Sequence, residues 1–102
     1  MFHNDDIQTS LVSLGGRVRA ARIARGDDQL SFARRLGVSV PTLRSLEKGE
    51  GTVAIGTLAA SLWMLSRLPE LDRLLEVRES LFDRLERRPK TRQRVSPKAR
   101  AA

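Results

Sequence analysis

The ionisable side chains available for chemistry are nearly all cations and carboxylates. Among 102 residues there are nineteen lysines and arginines, twelve aspartates and glutamates, one histidine and no cysteine. Without cysteine there is no disulfide framework, thiolate zinc site or thiol nucleophile. The single histidine, His3, lies near the N-terminus, which removes Ser-His-Asp chemistry and multi-histidine metal sites. No acid–base pair stands out beside a nucleophile, a metal motif or a phosphate loop. What is left is charge and hydrogen bonding, so the chain is read as a non-enzyme with no cofactor and no metal.

The charges are segregated. From Arg87 onward there are seven cations (Arg87, Arg88, Lys90, Arg92, Arg94, Lys98, Arg100) and no acid, which accounts for the whole net charge of +7. Residues 14–48 hold eight cations against three acids, and residues 49–86 hold four against seven. A basic first half, an acidic second half and a cationic tail suit a polyanion partner for one face and the tail. A plain solvated surface gives the same totals.

These charges must be carried by helices, since sustained period-2 alternation is missing. Ser10 is a candidate cap for a first helix with Leu11, Leu14, Val18, Ala21 and Arg22 on one face, ending at Gly26. Asp28 caps a second, about Gln29 to Leu36, presenting Leu30, Ala33 and Leu36 with Phe32 alongside. Gly37 turns the chain, and Ser39 caps a third helix with Pro41 in its first turn and Leu43 and Leu46 facing inward. Residues 48–51 form a loop. A fourth helix, about Ile55 to Ser66, is apolar on most sides and so is expected to be buried on most sides, with Trp63 in the core. A fifth, about Pro69 to Arg88, carries Leu71, Leu74, Leu75, Leu81, Phe82 and Leu85 and stops at Pro89.

The expected architecture is all-α, a single modest core in five helices. It divides into an N-terminal extension (1–13), a helix-turn-helix unit (14–66), a C-terminal helix (67–88) and a basic tail (89–102) expected to be disordered in isolation. No apolar run approaches the roughly 18 residues of a membrane span, and no secretory signal pattern opens the sequence. The expected location is cytoplasmic, with the nucleoid.

A short helix, a glycine turn and a second short helix form the geometry that presents a helix to a major groove. From Leu14 to about Leu65 the sequence resembles the Cro/repressor (XRE) family of helix-turn-helix regulators. The residues in register include Leu14-Gly15, Val18, Arg22, Gly26, Gln29, Ala33, Leu36-Gly37-Val38-Ser39, Thr42-Leu43, Leu46-Glu47 and Gly49. The resemblance implies a structural ion pair between Arg22 and Glu47, and a phosphate-clamping role for Gln29. It places the DNA contacts on Ser39, Val40, Pro41, Thr42, Arg44 and Ser45, at the start of the recognition helix. Arg44 is the best reader of a guanine, because its fork matches O6 and N7. Thr42 is suited to a base edge or a thymine methyl, and Lys48 to a phosphate.

Two features depart from the family pattern. Asp27 stands where relatives have an apolar residue, and Asp28 where a Ser or Thr commonly caps, so a carboxylate near phosphates is expected to lower affinity. Val40 and Pro41 are poor hydrogen-bonders, which shifts weight to shape readout or to the tail. Arg34 and Arg35 are read as solubilising.

The leucine face of the fifth helix, through Leu71, Leu75, Phe82 and Leu85, exceeds what a small core needs and is read as a homodimer seam, in keeping with two half-sites per operator. Arg92, Arg94 and Lys98 suit an arm along the DNA backbone or minor groove. A solvated end or a protein-docking tail fits the same composition. Residues 53–65 are similar to a stretch in regulators of the HipB antitoxin type, which implies a HipA-type kinase toxin as a partner. The resulting expectation is a sequence-specific repressor of double-stranded DNA, acting as a homodimer and serving as antitoxin and autorepressor. The alternative is a protein-interaction module of helix-turn-helix fold that does not read DNA.

Overall fold

A computed structural model describes residues 4–77. His3, Phe82, Leu85 and the tail cations Arg92, Arg94 and Lys98 lie outside the described residues. Five helices, α1 (Asp5–Ala24), α2 (Gln29–Leu36), α3 (Val40–Lys48), α4 (Ile55–Met64) and α5 (Leu68–Asp72), make up the described residues, with no strand among them.

The first helix begins earlier than the Ser10 cap would place it. Asn4 Oδ1 accepts from the backbone N–H groups of Asp6 (2.7 Å) and Ile7 (3.4 Å), and Asp5 and Asp6 lie in the first turn. A side-chain acceptor and two carboxylates at the positive end of the helix make Asn4 the stronger start. Ser10 is an exposed residue inside the helix.

α1 packs chiefly on α3, α2 also on α3, and α4 bridges α2 and α5. Where α1 meets the end of α3 the backbones nearly touch. A Cβ on Gly15 would stand 2.5 Å from the carbonyl oxygen of Leu46 and 2.7 Å from that of Glu47. Only a residue without a side chain lets the two helices approach this closely. The core is Val18, Phe32, Ala33, Leu43, Leu46 and Leu65, with Ala21, Leu36, Val38, Val40, Val53, Leu58 and Met64 packed against it.

On α2 the inward side differs from the expected Leu30 stripe. Phe32 is fully buried and Leu30 is 52% exposed. Gln29, Phe32, Ala33 and Leu36 fall at the i, i+3, i+4, i+7 spacing of a single face, from which Leu30 points away. On α4 only Ser61 is buried, its hydroxyl donating to the Leu58 carbonyl at 2.7 Å. Trp63, expected in the core, is 66% exposed, and Ile55 is 75% exposed. One face of α4 is covered, with Leu58 and Met64 packed against the core, and Ile55 and Trp63 lie on the uncovered side.

The long fifth helix is also corrected. α5 ends at Asp72, and Leu75 takes the left-handed conformation (φ 60°), which a helix cannot contain. Leu71 is half-buried, whereas Leu74 and Leu75 are exposed. Leu71 and Leu75 therefore do not continue one helical stripe.

Candidate nucleic-acid interface

The turn between α2 and α3 is built by local chemistry. Gly37 sits at φ 78°, a conformation that side chains other than glycine rarely tolerate, and Val38 N–H donates back to the Ala33 carbonyl at 3.0 Å. Ser39 then caps α3, its Oγ accepting from Thr42 N–H at 3.2 Å and donating to Thr42 Oγ1 at 3.0 Å. Pro41 lies in the first turn, where a missing N–H leaves nothing unsatisfied. Leu43, Leu46 and Glu47 are buried and pin the other side of the helix.

That anchoring decides what α3 shows to solvent. Pro41, Arg44, Ser45 and Lys48 share the outward face at i, i+3, i+4, i+7. Arg44 and Lys48 are exposed, and Ser45 is half-buried. Among the other expected contact residues, Ser39 is exposed with its hydroxyl engaged in the cap, Thr42 is half-buried, and Val40 packs against the core. The outward face thus carries two cations and a hydroxyl on a rigidly held helix.

Behind it lies a buried ion pair. Arg22 Nε donates to Glu47 Oε2 at 2.7 Å and Nη2 to Oε1 at 3.1 Å, with side-chain exposures of 6% and 3%. Arg22 Nη1 donates to the Asp27 carbonyl at 2.7 Å. The Glu47 hydrogen bonds raise the Arg22 pKa above its ordinary value, while burial pulls the other way. The expected Arg22–Glu47 pairing is thus a bidentate contact that ties α1 to the end of α3.

Gln29 completes the group. Its Nε2 donates to Glu47 Oε1 at 3.2 Å, and its Oε1 accepts from Arg44 Nε at 3.2 Å. Four side chains from three helices thus form one hydrogen-bonded chain from the interior to the outward face of α3. The sequence pattern gave no direct sign of the Gln29–Arg44 contact; the signal that could have found it is the placement of Gln29 on the inward stripe of α2.

The two aspartates at the start of α2 do separate jobs. Asp28 Oδ1 accepts from Ser31 N–H at 2.7 Å, and the Ser31 hydrogen bonds hold its carboxyl below the usual carboxylate range. Asp27 is engaged inside the molecule. Its Oδ1 accepts from Arg35 Nη2 at 2.8 Å, and its Oδ2 lies 3.7 Å from Arg25 Nε. Two arginines therefore neutralise Asp27, and Arg35, read as solubilising, acts as its clasp. Arg25 also donates from Nη1 to the Met64 carbonyl, tying the end of α1 to the end of α4.

No group of three or more histidine, cysteine, aspartate or glutamate side chains that could hold a metal occurs among the described residues. No helix among them is long and apolar enough to cross a membrane. The turn, the capped α3 and the buried pair behind it together form a helix-turn-helix, the fold that the sequence resemblance implies. Residues 18–60 match the helix-turn-helix family model, which spans α2, α3 and parts of α1 and α4. No curated protein and no solved structure matches the chain.

Proposed function

We propose that the protein is a sequence-specific transcriptional repressor that binds a partly palindromic operator as a homodimer, with α3 in the major groove. The observation that carries this reading is the outward face of α3, where Arg44 and Lys48 are exposed on a helix pinned by Leu43, Leu46 and Glu47. Arg44 reads a guanine, and Lys48 neutralises a phosphate. Thr42, Ser45, Pro41 and Ser39 supply the remaining close contacts, with Val40 acting from below by packing.

Self-association is supported by the apolar surface of the second half. Ile55, Trp63, Leu74, Leu75 and Val77 are all exposed, and a monomer leaves them in water. Of the seam expected from Leu71, Leu75, Phe82 and Leu85, Leu75 lies on this surface, Leu71 is half-buried, and Phe82 and Leu85 lie outside the described residues. The protein acts on the operon that encodes it, as antitoxin and autorepressor of a HipA-type kinase toxin, with the acidic second half or the tail as the toxin-contacting part. The likeness of residues 53–65 to HipB-type regulators is the support for that finer reading. The helix-turn-helix unit (14–66) and C-terminal segment (67–88) divide these tasks, and Arg92, Arg94 and Lys98 form a DNA arm in the tail (89–102). The expected location is cytoplasmic, with the nucleoid.

The test is fluorescence anisotropy on the protein's own upstream DNA, against a shuffled fragment, across a salt series. Tight binding to the upstream fragment alone, by two protomers, is the expected result. Arg44→Ala then costs about 1–3 kcal/mol on that fragment. A chain ending at Arg88 shows a flatter salt dependence, by about 0.9 in log–log slope for each phosphate the arm neutralises. Binding to neither DNA at low salt sinks the repressor reading. It would favour the second one, a protein-interaction module, for which the exposed Trp63 on the uncharged α4 is the specific support.

A further inference from the structure

The resemblance gives Gln29 a role at a DNA phosphate; the geometry points to a different one. We infer that Gln29 is a positioning residue that aims the Arg44 guanidinium, so that the buried Arg22–Glu47 pair sets the direction in which α3 reads a base. This rests on the reading of α3 as the recognition helix.

The hydrogen-bond chemistry allows the Gln29 amide one orientation. An ionised carboxylate only accepts and a guanidinium only donates. With Glu47 on one side and Arg44 on the other, Nε2 must face Glu47 and Oε1 must face Arg44, as the 3.2 Å distances have it. Glu47 cannot swing away, because it is buried and held by two hydrogen bonds from Arg22. Gln29 is itself half-buried, on the inward stripe with Phe32 and Ala33. The amide is thus a fixed acceptor at the rim of the core.

Arg44 uses Nε for this bond, and its Nη1 and Nη2 make no hydrogen bond among the described residues. Those two groups form the end of the fork that addresses O6 and N7 of a guanine. A long, exposed side chain ordinarily loses rotamer freedom when it docks. Holding it by Nε before DNA arrives reduces that loss and favours one direction of approach. One of the two Nε2 N–H groups is given to Glu47 and Oε1 to Arg44, which leaves the second N–H alone for any phosphate contact.

The two roles separate in a double-mutant cycle of the full chain with Gln29→Ala, Arg44→Ala and the pair, measured on the upstream and shuffled fragments. Gln29→Ala is expected to lower the preference for upstream over shuffled DNA about fivefold, a coupling typical of contacting side chains, and to do nothing in the Arg44→Ala background. Equal losses on both DNAs, undiminished when Arg44 is absent, overturn the inference and restore the phosphate clamp. Gln29→Met keeps the length of the side chain and repeats the cycle if the alanine variant unfolds.

A readout without DNA completes the test. In nitrogen-correlated NMR spectra the Arg44 Nε–H should exchange with solvent more slowly than that of Arg34, an exposed arginine with no side-chain hydrogen bond among the described residues. Gln29→Ala should bring the two to the same rate. Equal rates in the unsubstituted protein overturn the inference. If that protein shows no preference for upstream DNA, the repressor reading fails by itself, and the exchange rates still decide whether Gln29 holds Arg44.

Discussion

The two halves of the described chain are built to different standards. In α1–α3 each helix starts on a side-chain cap, from Asn4, Asp28 and Ser39. The buried ion pair and most of the core are in this half. Neither α4 nor α5 has a side-chain cap; from α4 onward, among the described residues, only Ser61 and Leu65 are buried, and Ser66 and Leu75, beyond the ends of the two helices, adopt left-handed backbone without being glycine. Large apolar residues are exposed in both halves, but Ile55, Trp63, Leu74, Leu75 and Val77 of the second half are barer than Ile7, Val12, Ile23 and Leu30 of the first. Caps, ion pair and core are concentrated around α3, the helix proposed to read bases, whereas the second half keeps the barer apolar surface.

The largest effect should come from breaking the first half at its ion pair. Glu47→Ala leaves the Arg22 guanidinium buried without its carboxylate and should cost about 3–5 kcal/mol in denaturant unfolding. A loss under 1 kcal/mol would mean that water reaches Arg22 and that the pair is not the anchor it looks to be. Next, Gly15→Ala drives a Cβ against the Leu46 and Glu47 carbonyls and should cost about 1–3 kcal/mol, because backbone must move. An unchanged midpoint would show that α1 slides easily over α3.

The second half should respond with the opposite sign. Ser66 occupies the left-handed position after α4, where Arg67 N–H bonds back to the Leu62 carbonyl at 2.7 Å. Ser66→Gly removes that strain and should stabilise by roughly 1 kcal/mol. Destabilisation would contradict the contrast in construction.

Acid sharpens the comparison in the first half. The Asp28 carboxyl has a folded pKa below its unfolded value, so its contribution is present above the unfolded pKa of about 3.9 and is lost as pH falls through the folded value. Asp28→Asn keeps the cap and removes the titration, so the acid limb of the stability profile should flatten. An identical limb in both proteins would assign acid sensitivity elsewhere. The smallest expected effect is Trp63→Ser, which should change the stability of dilute protein by no more than about 0.5 kcal/mol. Measured by light scattering at high concentration, the same substitution should shift a self-associating chain toward monomer. A large loss in dilute protein would show that Trp63 serves the fold after all.

The legible parts of this molecule were local ones. Gly37, the Ser39 cap, Pro41 and the inward Leu43 and Leu46 stand in the structure where the spacing predicts them. The Arg22–Glu47 pair came from family resemblance and has the expected partners. Two misses were readable in principle: Asn4-Asp5-Asp6 is a better helix start than Ser10, and the stripe through Gln29 and Phe32 is tighter than one through Leu30. The exposure of Trp63 was not readable, because an uncharged helix looks the same in sequence whether one face or every face is covered. The long fifth helix failed because leucine spacing continues through Leu75 although the backbone there does not.

The sequence by itself determined the turn, the caps and the charge of the recognition helix, since these depend on residues within five positions of each other. Tertiary structure alone decided what the charges do. Asp27, a carboxylate expected to repel phosphate, is clasped by Arg35, eight residues further on. Gln29 joins Arg44 to Glu47 across fifteen and eighteen positions. Hydrogen bonds at that separation depend on which helix faces meet, and helix periodicity fixes the face of each element without fixing its neighbour.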